Sequence, residues 1–382
     1  MIHAATIKTP RLLSLDVLRG FTVAVMIMVN NAGDGSVSYA QLRHSGWNGC
    51  TLTDVVFPLF LFIVGASIAL SFSARLQHGA TKSAIALQML RRTLTIFALG
   101  LLLNALPYFH LGELRYYGVL QRIALCYALA GMVYLFSGVA GCVVTAAIAL
   151  VGYWFLLTHV SVPGFGLPGA SIEILDRYGN LTAWLDRLMV PQVHLYRHSY
   201  YDPEGLLSTL PALANTLLGV LCAVWLRTVR PAWQKALAML TCGLVLMEGS
   251  LLWSQTFPLN KRLWTSSFSL FTSGIGMAVL ALLFWYIDGN KKQDAQHHPW
   301  MKPWLVFGTN ALTAYVLSEV LAVVLAAIPI HSGEDLQQLL FRLLPSWLGP
   351  PPFVSMLYSV LFVGVCYLPV WELYRRRIFV KL

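Results

Sequence analysis

About ten stretches of roughly 20 apolar residues recur along this chain, and a transmembrane helix needs that length to cross the hydrocarbon core. They lie near 15–32, 54–74, 88–107, 119–137, 139–158, 206–228, 234–253, 264–287, 303–326 and 353–374. A soluble core cannot absorb them. The 382 residues are 57% hydrophobic and only 11% charged, where soluble domains carry roughly 25% charged residues. The expected fold class is all-α, a polytopic membrane protein with both termini in the cytoplasm. The whole of 1–382 reads as one transmembrane domain. The fourth and fifth stretches meet at Ser137-Gly138, which predicts a tight helical hairpin.

Lys and Arg set the orientation, because cytoplasmic loops retain them. With both termini inside, most of the 26 basic residues fall on the cytoplasmic side, among them Lys8, Arg11, Arg75, Arg91, Arg92, Lys291, Lys292, Lys381 and the tail Arg375-Arg376-Arg377. The net charge of +10 therefore follows the membrane rule, and a nucleic-acid partner is not expected. Three long loops, near 33–53, 159–205 and 327–352, then share the outer face. Lys8 and Arg11 precede an apolar stretch that contains Asp16 and Arg19 and has no small-x-small cleavage site, so that stretch reads as a membrane helix rather than a cleaved signal. The six cysteines are scattered without a Cys-x-x-Cys pair, which argues against a disulfide framework or a metal site.

Polar groups at membrane depth are costly and usually face a cavity or a partner. They concentrate in the first helix and the loop after it: Asp16, Arg19, Asn30, Asn31, Asp34, His44, Trp47, Asn48 and Asp54. Asp16 and Arg19 are three apart and share a helix face. They read either as a structural ion pair or as a site where Arg19 meets an anionic ligand from the cytoplasm. His44 is the sharpest candidate for chemistry, since an imidazole transfers protons near neutral pH. Asp54, ten residues on, is placed to orient its ring. A lone loop histidine is more often a surface residue, so spacing alone leaves both readings open. Asn104, Asn215 and Asn310 read as helix–helix hydrogen-bonding groups. Arg122 is a candidate buried partner for Glu113, and Glu248 and Glu319 are candidates for either a proton relay or buried pairing.

The blocks Leu15-Asp16-Val17-Leu18-Arg19-Gly20, Asn30, His44-Ser45-Gly46-Trp47-Asn48-Gly49 and Asp54-Val55-Val56-Phe57-Pro58 resemble the heparan-α-glucosaminide N-acetyltransferase family. Supporting stretches are Gly118-Val119-Leu120-Gln121-Arg122-Ile123, Tyr201-Asp202-Pro203-Glu204-Gly205, Pro258-Leu259-Asn260-Lys261-Arg262-Leu263-Trp264 and Gly308-Thr309-Asn310-Ala311. The resemblance implies acetyl transfer across a membrane, from cytoplasmic acetyl-CoA to the amine of a glucosamine-type sugar on the other side. It puts the family's active-site histidine on His44 and its asparagine on Asn30, with a supporting acidic role for Asp54. A homodimer and a bacterial inner-membrane location are also expected.

On that reading the coenzyme A phosphates meet the basic cytoplasmic mouth, formed by Arg19 (beside Asp16), Arg91 and Arg92. The pantetheine arm threads between helices toward His44, which acts as general base or is itself acetylated. Asn30 donates to the developing oxyanion. No metal is expected. The partners are acetyl-CoA, an amino-sugar or glycan acceptor, and membrane lipid. Two rivals share the residues: an amino-sugar transporter using Glu248 and Glu319, and an O-acyltransferase of extracytoplasmic polysaccharide.

Overall fold

The computed structural model describes residues 12–289, 298–330 and 333–380. The basic residues Lys8, Arg11, Lys291, Lys292 and Lys381 lie outside the described residues. Twelve α-helices are described, in chain order α1 (Leu13–Asn30), α2 (Leu52–Gln77), α3 (Lys82–Ala105), α4 (Val119–His159), α5 (Leu181–Met189) and α6 (Thr209–Leu226), followed by α7 (Ala232–Trp253), α8 (Ser266–Leu283), α9 (Lys302–Thr309), α10 (Ala311–Ala327), α11 (Leu336–Arg342) and α12 (Pro351–Arg375).

Among the described residues, eight helices are long and apolar enough to cross a membrane, or nine with the bent pair α9–α10 counted as one span. Helix α4 is itself two passes. Its 41 residues break at Gly138, which takes a positive φ of 62° that a side chain would resist. Run straight, such a helix would be roughly 60 Å long, yet its two ends return to one side. Val119 lines a cavity with His44 and Lys261, while the Tyr153 hydroxyl donates to the carbonyl of Leu263, two residues past Lys261. The hairpin read at Ser137-Gly138 is therefore present, and among the described residues the passes number nine, or ten with the bent pair. The chain is an all-α polytopic integral membrane protein.

The ninth span departs from the single helix expected over 303–326. It bends by 77° between Thr309 and Ala311, with Asn310 outside helical geometry. The Asn310 amide donates to the Ile378 carbonyl (3.1 Å), and its oxygen accepts from the Val380 N–H (3.0 Å). One side chain thus breaks the span and ties down the segment after α12.

Close backbone approach holds the bundle. A Cβ on Gly65 of α2 would sit 1.8 Å from the Thr216 carbonyl of α6, and one on Gly219 of α6 would sit 1.9 Å from the Phe62 carbonyl. Small residues at such crossings are how membrane helices gain packing where lipid supplies no hydrophobic drive. Asn215 fastens α6 to α8 by donating to the Ser269 carbonyl and Ser273 Oγ (3.0 and 2.7 Å) while accepting from the Trp264 indole (2.8 Å).

Both described ends of the chain meet at one end of the bundle. The Leu13 and Ser14 N–H groups donate to Asp288, and Arg19 and Val380 line the same cavity. The three long loops join at the opposite end. Trp47 donates to the Leu175 carbonyl (2.8 Å), and Asp34 donates from its N–H to Ser355 Oγ (3.0 Å), at the start of α12. The end that holds Leu13 and Val380 is called the inner end, and the end that holds the loops the outer end.

Candidate active site

Local chemistry builds the outer site from the start of α2. Thr51 is the N-cap, and Asp54 at the third helical position turns its carboxylate back to accept from the Thr51 N–H (3.0 Å), the reciprocal pattern that satisfies free N-terminal donors. The preceding loop is tied to the same helix end. Leu52 N–H donates to Gln41 Oε1 (3.0 Å), the Thr53 hydroxyl donates to the Gln41 carbonyl (3.1 Å), and the Thr51 hydroxyl lies 2.7 Å from the Arg43 carbonyl. His44 is the next residue.

His44 Nδ1 lies 2.7 Å from Asp54 Oδ1. The carboxylate is fully buried, while the imidazole is 43% exposed and faces a cavity. Asp54 Oδ2 accepts from the N–H groups of Ser45 (3.1 Å) and Thr51 (3.0 Å). An acceptor held this way accepts a hydrogen bond from Nδ1–H and leaves Nε2 with its lone pair. The cavity measures about 470 Å³.

Asn30, at the last turn of α1, lines the same cavity, and its amide nitrogen lies 3.4 Å from Glu319 Oε1 of α10. The expected trio His44, Asn30 and Asp54 is thus brought to one cavity. Others join it that the first block of sequence does not contain: Arg115, Glu204, Lys261, Tyr315 and Glu319. Lys261 Nζ lies 3.1 Å from both ring nitrogens of His44. Burial lowers its pKa, while Glu204 and Asp54 favour the charged form. Glu204 is pushed up by burial, but Arg115, Arg122 and Lys261 outweigh that and hold it below the usual carboxylate range. Arg115 also grips the buried Asp202 through two nitrogens (2.9 and 2.5 Å). Of these, Glu319 stands out in sequence as a membrane acid, while Glu204 and Lys261 are signalled only through the resemblance of the Tyr201–Gly205 and Pro258–Trp264 stretches.

A second cavity of about 260 Å³ opens at the inner end. Arg19, Arg92, Ser67, Ser71, Tyr127 and Thr309 are among its lining. Arg19 is paired with Asp16 (2.8 Å) and donates to Ser67 Oγ (2.8 Å), so the structural ion pair is real and its arginine still borders the cavity. Arg92 stacks over Tyr127, 5.1 Å from the ring centre. Arg91 is exposed and is not in that lining.

Helices α2, α4 and α10 line both cavities, with residues about one turn apart: Phe57 then Phe60, Val119 then Ile123, and Tyr315 then Leu312. The two cavities therefore share one axis through the bundle.

Two sequence readings change. Arg122 does not pair with Glu113. It is buried, donates to the Gly205 carbonyl (2.8 Å) and to Ser208 Oγ (2.5 Å), and lies 5.1 Å over the Trp264 ring. Glu113 sits instead on an exposed 3₁₀ turn. Glu248 is exposed on α7 and does not line the cavity of Glu319.

The sequence is similar to known proteins. The family model described as heparan-alpha-glucosaminide N-acetyltransferase, catalytic, matches residues 11–185, which include His44, Asn30 and Asp54. The human and mouse proteins named heparan-alpha-glucosaminide N-acetyltransferase are each 28% identical over 364 residues, covering 81% of this chain and 53% and 54% of their own lengths. The chain thus spans about half the length of the curated relatives it matches. Over residues 11–185 the chain is therefore similar to the catalytic region of the heparan-α-glucosaminide N-acetyltransferase family.

Proposed function

We propose that this protein is a transmembrane acetyltransferase that carries the acetyl group of acetyl-CoA from the inner face to the amine of a glucosamine-type sugar at the outer face. The observation that carries the reading is the buried Asp54 carboxylate, 2.7 Å from a His44 ring that opens into the outer cavity. An imidazole so oriented is a general base.

The inner cavity suits the donor. Arg19, Arg92, Ser67, Ser71 and Thr309 are groups that bind phosphate, with the two guanidiniums supplying charge-assisted bonds. Arg91, on the exposed face of α3, adds to the basic approach. A slender arm reaching from there toward His44 follows the faces of α2, α4 and α10. At the outer end His44 Nε2 takes a proton from the acceptor amine, Asp54 stabilises the imidazolium that results, and Asn30 donates to the thioester oxygen. The acid Glu319 lies within reach of the Asn30 amide and helps to fix it.

The carrier reading uses Glu248 and Glu319 together, and Glu248 lies on an exposed helix face outside the cavity that Glu319 lines. The discriminating experiment supplies labelled acetyl-CoA to the purified protein with a panel of sugars. Label on glucosamine but not on N-acetylglucosamine supports N-acetyl transfer. Label on N-acetylglucosamine moves the reading to O-acyl transfer. Sugar flux without consumption of acetyl-CoA moves it to transport.

A further inference from the structure

We propose that Lys261 is a further catalytic residue, whose ammonium receives the oxyanion that forms during transfer; this rests on the acetyl-transfer reading above. Lys261 Nζ is 3.1 Å from Nδ1 and 3.1 Å from Nε2 of His44. In the ring plane, a point at that distance from both nitrogens would collide with Cε1, so the ammonium lies over the face of the ring. The in-plane lone pair of Nε2 is therefore left to the acceptor amine, while a cationic donor stands beside the atom where the proton is exchanged.

The loop that carries this lysine is built to hold it there. Gly49 N–H, in the His44 loop, donates to the Leu259 carbonyl (2.7 Å), and the Asn260 amide donates to Asn48 Oδ1 (3.1 Å). Asn260 Oδ1 accepts from Leu263 N–H (2.9 Å), and Trp264, fully buried at a positive φ of 53°, is fixed by Asn215. A non-glycine residue held in the left-handed region marks a backbone over-determined by its surroundings. Lys261 and His44 thus belong to one cross-linked pair of loops, with Glu204 and Asp54 supplying the negative charge that keeps the ammonium in place.

In the step concerned, the acceptor nitrogen attacks the thioester carbon. The N–C bond forms, the carbonyl pair moves onto oxygen, and the amine proton passes to His44 Nε2. Lys261 donates a hydrogen bond to that oxygen. When the carbonyl reforms, the C–S pair leaves on sulfur and is protonated from the imidazolium. Removing one oxyanion donor typically costs about 10²–10³ in kcat.

The test compares the wild-type protein with Lys261→Met, Lys261→Gln and Lys261→Arg, using labelled acetyl-CoA and glucosamine, with melting temperatures measured in detergent. The Met and Gln variants are expected to lose about 10²–10³ in kcat, with KM for acetyl-CoA within about twofold and melting temperature not lowered. The Arg variant should keep at least about tenfold more activity than Met, because it retains a cationic donor. A folded Met or Gln variant within about threefold of wild-type kcat overturns the assignment. So does a loss that appears in KM, that tracks a fall in melting temperature, or that Arg shares in full. Failure of wild type itself to transfer label overturns the acetyl-transfer reading instead.

Discussion

His44 Nδ1 and Asp54 Oδ1 lie 2.7 Å apart, and the same Asp54 caps the helix on which it stands by accepting from the Thr51 N–H. One carboxylate therefore holds both the start of α2 and the His44 ring. The two roles separate on mutation. Asp54→Asn keeps an acceptor for the backbone but offers His44 no charge, and its amide favours the wrong tautomer. We expect kcat to fall by up to about 10⁴, with stability reduced by about 1 kcal/mol, as for a weakened cap. Steady-state kinetics beside chemical denaturation separate the two effects. Equal loss of stability and activity would mean that Asp54 is only a cap.

Arg19 and Arg92 border the inner cavity and Arg91 does not. Arg92→Ala is expected to raise KM for acetyl-CoA about tenfold or more, as loss of a charge-assisted phosphate contact does, and to leave KM for the sugar unchanged. Arg91→Ala, one residue away, should change it much less. Initial-rate measurements with each substrate varied in turn check this. Equal effects from both arginines would point to a diffuse basic surface rather than a bounded site.

Asp186 of α5 is buried and accepts from the Asp202 N–H (3.0 Å). Burial, with Asp202 adding to it, pushes its pKa from 3.8 up to about 7. Between those values the folded state holds a proton that the unfolded chain has released, so stability falls as pH rises. The contribution is whole below pH 3.8 and lost through about pH 7. Asp186→Asn should flatten that part of the stability–pH curve. Melting temperatures from pH 4 to 8 in detergent test it, and an unchanged slope in the variant would show that another group is responsible.

Much of this was legible in the sequence, for physical reasons. Apolar runs of bilayer length are a strong signal, and Ser137-Gly138 marks the hairpin because only glycine accepts its backbone easily. His44 and Asp54 were legible as an imidazole and a carboxylate ten residues apart between two membrane helices, but spacing left the role of His44 open and only the resemblance pointed to chemistry. Lys261, Glu204 and Arg115 were not, since they reach His44 only after distant segments pack together. The break at Asn310 was hidden for a similar reason: the groups that satisfy its side chain, at Ile378 and Val380, lie beyond the next membrane span. Arg122 was misread because a buried arginine suggests a carboxylate nearby in sequence, whereas a carbonyl, a hydroxyl and an indole surround it.

The most direct test of His44-dependent acetyl transfer is label transfer from radiolabelled acetyl-CoA to glucosamine by purified wild type and His44→Ala. Wild type is expected to label the sugar, and the variant, folded with an unchanged melting temperature, to lose about 10²–10⁴ in rate. Wild-type rates in His44→Ala, or no labelling by wild type under conditions where acetyl-CoA binds, would contradict it.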